Sequence, residues 1–392
     1  MQKIGYPSCL NQLSSAFSFS CLQKMSKIWQ QAWKSLRSID FDFQNIHGSF
    51  FESQDSEPED VKLEKFMNFV DKTLQILHEE MVIIQKFILP MSLTDAKHAS
   101  CIDNWLELAT RNCIKELELT IIGKKITDYT LSRRIFAVES LAILRLWGCK
   151  LVEPLFGENN KFICLQELSL LAIDLDGKMI QELVCHCPML KALEISCCLR
   201  VDYLQLLNLP KLKKAEFDSC LTIKINEAPN LQILSGTGIV RSLLLDMSTS
   251  ENVKKLKIGY VSISRDYLEE LNSRFPLLET LEMQPSNLPE IKIPHHRLEK
   301  FKLFINRDTI LQIDCKNLSS YAYLGPHIPS LSINSSRLQK SQNLISIHCP
   351  LDTSWFLKLR QYLGNFKQTV LSLRIDESPT VNLQIKFIIL LL

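Results

Sequence analysis

Glycine is scarce in this chain, 11 residues in 392, and that shortage bounds its chemistry first. Loops that cradle phosphates rely on glycine, whose missing Cβ lets backbone N–H groups close on the anion. Neither a P-loop nor a dinucleotide fingerprint occurs, and G-x-S-x-G and H-E-x-x-H are also missing. There is no excess charge of one sign either. The 45 Lys and Arg stand against 43 Asp and Glu, a formal net charge of +2 spread along the sequence. A nucleic-acid or anionic-membrane surface would need a concentrated basic stripe, and the short cluster Lys254-Lys255-x-Lys257 reads as a solvated rim. The longest apolar run, Phe387 to Leu392, is too short to span a bilayer and reads as a last strand. No charged n-region followed by an apolar h-region opens the sequence, and the 13 cysteines are odd in number and scattered. Together these point to a reducing compartment, cytoplasm or nucleus, with free thiols.

The remaining candidates for chemistry are few. Cys185-His186-Cys187 with Cys197-Cys198 offers thiolates and an imidazole to a tetrahedral metal. A C-x-C pair is tighter than the usual knuckle, however, and Cys185 falls at a helix end. His295-His296 follows a proline, has no acidic neighbour in sequence and is expected as a surface pair. No catalytic residue, metal or cofactor is therefore expected.

What the chain does have is a period. In Cys187–Cys198, Leu190, Leu193, Ile195 and Cys198 fall on the frame L-x-x-L-x-L-x-x-N/C of a leucine-rich repeat. The two central apolar positions alternate along a short strand and face one core, while a thiol at the last position meets backbone in the turn. Leu141, Leu144, Leu146 and Cys149 match fully. Leu165, Leu168, Leu170 with Ile173, and Leu212, Ala215, Phe217 with Cys220, match with substitutions. From 141 to 165 to 190 to 212 the steps are 24, 25 and 22 residues, inside the repeat's range of about 20–29. Looser copies begin at Ile84, Ile114, Val253, Leu278 and Leu298, and weaker ones at Leu318, Leu344 and Val370. Segment 228–247 is ambiguous, because Leu231/Leu234 and Val240/Leu243/Leu245 both resemble strands. One such unit cannot cover its own apolar edge, whereas a stack can. The fold class expected is thus an α/β leucine-rich-repeat solenoid, with parallel strands on the concave face and helices and loops on the convex one.

Between the repeats, Asp60 is a plausible N-cap for a helix with Phe66, Phe69, Val70, Leu74 and Leu77 on one side. Ile102, Trp105, Leu106 and Ala109 predict a second helix, and Trp355, Leu359, Tyr362, Leu363 and Phe366 one more over 352–366. Pro188, Pro210, Pro229, Pro276 and Pro294 are expected just before strands. Residues between the apolar strand positions should line the concave face: Glu118, Arg145, Trp147, Glu194, Glu216, Asp218, Lys257, Glu282 and Lys302. A charged, curved face carrying an exposed aromatic such as Trp147 suits a protein partner better than a small molecule.

Upstream, residues 25–42 place Met25, Trp29, Ala32, Trp33 and Leu36 on one helical face, followed by a strand-like Ile-Asp-Phe-Asp. Ser26, Lys27, Trp29, Trp33, Ser35, Leu36, Asp40, Phe41 and Asp42 match the second half of the plant F-box. Phe69-Val70-Asp71, Ile84-x-Lys86-Phe87, Asp103-x-Trp105-Leu106 and Ile114-Lys115-Glu116-Leu117 are similar to the region that follows it. The chain thus resembles plant F-box/leucine-rich-repeat proteins over roughly 25 to 375. The family's opening, Leu-Pro followed by helices rich in Ile and Leu, has no counterpart in residues 1–24, so the resemblance implies an incomplete F-box. It also implies three segments: a truncated F-box-like stretch at 1–51, an acidic linker at 52–60 and a repeat domain at 61–392. By resemblance, Ser26, Lys27, Trp29 and Trp33 would contact a Skp-type adaptor of a cullin ubiquitin ligase, and the repeats would hold an unidentified protein substrate. A second reading stays open, an interaction scaffold or decoy that does not recruit the ligase. Neither reading calls for a nucleic acid or a membrane.

Overall fold

The computed structural model describes residues 38–41, 59–93, 96–111, 113–123, 129–156, 162–219, 222–237, 242–245, 249, 251–259, 268–285, 288–338, 340–347, 352–378 and 381–390. The chain divides into two compact units, Met1–Leu190 with Cys198–Arg200, and Lys191–Cys197 with Val201–Leu392.

The first unit runs β1 (Ser38–Asp40), α1 (Glu59–Glu79), β2 (Lys86–Leu93), α2 (Ala96–Thr110), β3 (Glu116–Gly123), a 3-10 turn (Arg133–Ala137), β4 (Ile143–Trp147), β5 (Glu167–Leu171) and α3 (Gly177–Cys185). Its five strands lie parallel in chain order. The repeat frame is the reason. Phe87, Leu117, Leu144 and Leu168 stand in register, as do Leu89, Leu119, Leu146 and Leu170, and all eight are buried. Each contributes about 1.5–3 kcal/mol relative to exposure, and each finds that burial only against the next rung.

Leu63, Phe66, Val70, Leu74 and Leu77 form the buried stripe of α1. Phe69, expected on that face, is 39% exposed and packs edge-on against Phe41 at 6.1 Å. Helix α1 already includes Glu59, so Asp60 sits in its first turn instead of capping it. Ile102, Trp105, Leu106 and Ala109 of α2 are buried as their spacing predicts. Several signature residues join successive repeats: Trp105 Nε1 donates to Asp71 Oδ1 at 3.3 Å, Tyr129 Oη to Asp103 Oδ1 at 2.7 Å, and Lys86 Nζ to Glu116 Oε1 at 2.8 Å.

In the second unit most rungs carry two strands. They are β6 (Ala192–Ser196) with β7 (Tyr203–Leu207), β8 (Lys214–Asp218) with β9 (Thr222–Asn226), and β10 (Ile233–Thr237) with β11 (Ser242–Leu245). Then follow β12 (Lys255–Gly259), a single helical turn α4 (Leu271–Arg274), β13 (Thr280–Gln284) with β14 (Glu290–Pro294), β15 (Lys300–Phe304) with β16 (Ile310–Asp314), and β17 (Ser320–Gly325) with β18 (Ser330–Asn334). The unit closes with β19 (Lys340–Ile347), α5 (Thr353–Leu363), β20 (Gln368–Ser378) and β21 (Val381–Leu390). The main sheet is parallel from β6 through β8, β10, β12, β13, β15, β17 and β19 to β20, and β21 ends it antiparallel. The second strands make two small parallel sheets, β7-β9-β11 and β14-β16-β18. Strands thus replace most of the helices expected opposite the main sheet. From β13 to β19 the rungs start at 280, 300, 320 and 340, steps of 20. After two turns such a rung has room for a second short strand and not for a helix. The ambiguous segment 228–247 is one of these pairs, with β10 in the main sheet and β11 in a small one.

Pro188, Pro210, Pro229 and Pro276 each stand four residues before a strand start. Pro294 instead ends β14, in register with Asp314. Asparagine side chains tie some turns to the previous rung: Asn230, Asn252 and Asn317 Nδ2 donate to the carbonyls of Pro210, Pro229 and His296, each at 2.7 Å. The weak repeat expected from Leu344 is displaced. Strand β19 starts at Lys340 and faces Ser341, Asn343 and Ile345 inward, leaving Leu344 half-buried on the other side.

Candidate functional site

Outward side chains alternate with buried ones along each strand, and strand register gathers them into rows. In the first unit Ile88, Glu118, Arg145 and Ser169 form one row. Lys86, Glu116, Ile143 and Glu167 form the row before it, and Pro90, Thr120, Trp147 and Leu171 the row after. Glu118 and Arg145, both predicted from sequence, are therefore neighbours, with Arg145 Nη1 3.7 Å from Glu118 Oε2. Trp147 stands one row further and is 44% exposed. Ile122, two residues beyond Thr120, adds a second exposed apolar group.

Glu116 and Glu167 were not foreseen, yet they hold Arg145 most closely. Arg145 Nη1 donates to Glu116 Oε1 at 2.7 Å and Nη2 to Glu167 Oε2 at 2.9 Å, so the guanidinium is held across three strands. Both glutamates sit two residues before the position between the apolar pair, and the pleat's period of two was the signal that places them. Partial burial pushes the Glu116 carboxyl up, but hydrogen bonds from Lys86 and Arg145 outweigh it and hold the group below the usual carboxylate range. Ion pairs this exposed are worth about 0–1 kcal/mol each. Their effect is to fix where Arg145 points beside the Trp147 indole, which presets a contact surface and lowers the ordering cost of docking.

In the second unit the corresponding row is Glu194, Glu216, Ser235, Lys257, Glu282 and Lys302, continuing to Ala322 and Gln342. Glu282 Oε1 lies 3.6 Å from both the Lys257 and Lys302 ammonium groups, and Lys302 also sits 4.5 Å over the Phe304 ring. Glu194 faces Glu216, whose carboxylate is paired with Lys214. Asp218 falls one row further, between Ser196 and Thr237, and accepts from Cys197 Sγ at 3.8 Å. Ser26, Lys27, Trp29, Trp33 and Cys220 lie outside the described residues. A cleft of about 510 Å³ between α5 and the β14-β16-β18 sheet, lined in part by Thr309, Ile310, Ser330, Lys358 and Gln361, had no sequence signal.

Of the thiols and imidazoles singled out from sequence, His186, Cys187 and Cys198 bond to backbone carbonyls, whereas Cys185 and Cys197 are exposed. His186 Nδ1 is 2.7 Å from the Glu182 carbonyl and its ring stacks on Phe156 at 4.1 Å. Cys187 Sγ donates to the Leu183 carbonyl at 3.0 Å, and Cys198 Sγ to that of Leu170 at 3.4 Å. Burial pushes the thiols of Cys149, Cys187 and Cys315 up to about 12, so they stay protonated at neutral pH.

His295 is not the surface residue expected. It is 1% exposed, with Nε2 3.0 Å from the Phe275 carbonyl and Nδ1 accepting from Arg297 N–H at 3.2 Å, while His296 is exposed. Both ring bonds require the neutral Nε2–H tautomer. Burial lowers its pKa, the Phe275 carbonyl opposes that, and His296 adds to the lowering. Below the unfolded value of about 6.5 the unfolded chain therefore binds the proton first, and stability falls with pH. Urea unfolding should lose up to about 1 kcal/mol between pH 6.5 and 5.5, a loss absent in His295→Asn. Equal slopes for the two proteins would refute this role.

Compared with known families, residues 76–343 match the model of the leucine-rich-repeat domain described as At1g61320/AtMIF1. No curated protein gave a significant match.

Proposed function

The chain belongs to the At1g61320/AtMIF1 leucine-rich-repeat domain family, and from that premise we propose that it is the substrate-recognition subunit of a Skp–cullin–F-box ubiquitin ligase. The repeats form a protein-interaction scaffold, the coarser part of this reading. The observation that carries the finer part is the run Ser26 to Asp42, whose Ser-Lys-x-Trp-x-x-x-Trp spacing resembles the second half of a plant F-box directly ahead of such a domain. In this reading the Trp29 and Trp33 face binds the adaptor, the outward rows around Arg145 and Trp147 hold the substrate, and no residue of the chain makes or breaks a bond. The physical effect is tethering, which raises the concentration of one protein at another. The compartment is the cytoplasm or nucleus.

Co-elution of the purified chain with a recombinant Skp adaptor tests this. The complex is expected for the unmodified chain and should be lost in Trp29→Ala/Trp33→Ala. Failure of the unmodified, folded chain to bind would support the second reading, a scaffold or decoy.

A further inference from the structure

The first outward row of the second unit's main sheet has a regularity that the sequence hides. Lys214, Ile233, Lys255, Thr280, Lys300, Ser320 and Lys340 follow one another in register, so a lysine stands on every second strand. All four lysines are exposed. Their surroundings leave this row the cationic one. In the neighbouring row Lys257 and Lys302 share Glu282, and the row's three glutamates, Glu194, Glu216 and Glu282, outnumber its two lysines, while Lys254 takes Glu279 at 3.5 Å. Lys214 is paired with Glu216, whereas Lys255, Lys300 and Lys340 have no ion pair among the described residues. Of the sequence cluster Lys254-Lys255-x-Lys257, only the middle lysine is left uncommitted. Glu299, one residue before β15, is the nearest opposing charge in sequence to Lys300.

We propose that this row binds an acidic protein segment in the polyproline II conformation, with a carboxylate at every third residue, lying across the strands. The spacing argues for that partner. Strands about 4.8 Å apart put successive lysines about 9.6 Å apart. A polyproline II helix repeats every three residues, about 9.3 Å. Over the three intervals of the row the mismatch accumulates to only about 1 Å, well within the reach of a flexible lysine stem. An extended strand with acids on one face repeats every ~6.7 Å and does not keep step, while every third phosphate of a nucleic-acid strand, ~10.2 Å along its axis, drifts about 2 Å over the row, twice as far as polyproline II. Polyproline II is also pre-ordered, which suits a surface of single exposed charges that cannot offset much ordering entropy. The inference does not depend on ligase recruitment.

The test uses the full chain at low salt and fluorescein-labelled peptides followed by anisotropy. One peptide is four repeats of Glu-Pro-Pro. The other has the same composition with its glutamates in one block. The spaced peptide should bind at least about tenfold tighter, and raising ionic strength from 0.1 to 1 M, which cuts the screening length from about 10 to about 3 Å, should abolish binding. Lys255→Glu/Lys300→Glu should weaken it at least tenfold with an unchanged circular dichroism spectrum, whereas Lys292→Glu, on a small sheet, should not. Should the double reversal fail to fold, Lys255→Ala/Lys300→Ala is expected to lose severalfold, and the comparison of peptides on the unmodified chain stands by itself. Equal binding of the two peptides, or equal displacement by oligothymidine of the same length, would overturn the proposal.

Discussion

Gly148→Ala should cost the first unit about 2–5 kcal/mol. Gly148 follows β4 with φ +76° and opens the turn away from the sheet, its N–H donating to the Leu171 carbonyl at 3.1 Å. The same left-handed turn follows β5, β6 and β8, where Ala172, Cys197 and Ser219 adopt it at φ 50°, 53° and 62°. The backbone conformation alone therefore does not demand glycine. What differs at Gly148 is the strand beneath. Strand β3 runs on to Gly123, and a Cβ at position 148 would lie 1.9 Å from the carbonyl oxygen of Ile121. That oxygen belongs to the backbone and cannot rotate away. The cost combines about 1–2 kcal/mol for the left-handed conformation with about 1–3 kcal/mol of overpacking. Ala172→Gly, at the equivalent place one rung later, should change stability by less than about 1 kcal/mol. Urea unfolding followed by tryptophan fluorescence measures both, and Trp147, adjacent to the altered residue, reports locally. A Gly148→Ala protein within 1 kcal/mol of the original would show that β3 yields, and that the Trp147 surface is softer than its packing implies.

That comparison shows where the sequence is readable. The pairs Leu144/Leu146, Leu168/Leu170 and Leu193/Ile195 disclose strands, because a two-residue alternation of large apolar groups has one outlet, burial against a neighbouring rung. The same period placed Arg145, Lys257 and Glu282 on outward rows. It did not disclose which charges would meet. Arg145 is held by Glu116 and Glu167, 29 and 22 residues away in sequence, and those distances become contacts only once the register is set. Nor could spacing show that Lys255 is left over while Lys254 and Lys257 are taken, since that depends on Glu279 and Glu282 in the next strand. His295 was misread for a related reason. A histidine reads as polar, and nothing local announces the Phe275 carbonyl, 20 residues upstream, that lets it be buried. The strand pairs of the second unit were obscured because rungs of about 20 residues leave the second strand as short as the first.

Strand β19 is where the pattern failed outright, and it carries the second large effect. Asn343→Leu should destabilise the second unit by about 3–4 kcal/mol although it adds apolar surface at a buried position. Asn343 is 2% exposed and stands in register with Tyr323 and Leu371, in the column that holds Leu303, Met283 and Ile258 on earlier rungs. Its Oδ1 accepts from the Tyr362 hydroxyl at 2.6 Å, and its Nδ2 donates to Thr369 Oγ1 at 2.8 Å and to Ser341 Oγ at 3.3 Å. Tyr362 comes from α5, whose first turn is capped by Asp352 Oδ1 accepting from Trp355 N–H at 2.7 Å. Asn343 thus joins β19, β20 and α5, a polar hub in an otherwise apolar stack. Burial holds the Tyr362 hydroxyl protonated far above its ordinary range, so it must find an acceptor inside the protein. Leucine removes that acceptor and strands a buried hydroxyl, a loss of about 1–3 kcal/mol beyond the bonds themselves. If so, removing both partners should repair part of the damage: Asn343→Leu/Tyr362→Phe should recover about 1–2 kcal/mol relative to Asn343→Leu alone. Additive losses in that double-mutant cycle would mean that the two side chains do not depend on one another, and that packing of Trp355, Leu359 and Phe366 alone seats α5 at this end of the sheet.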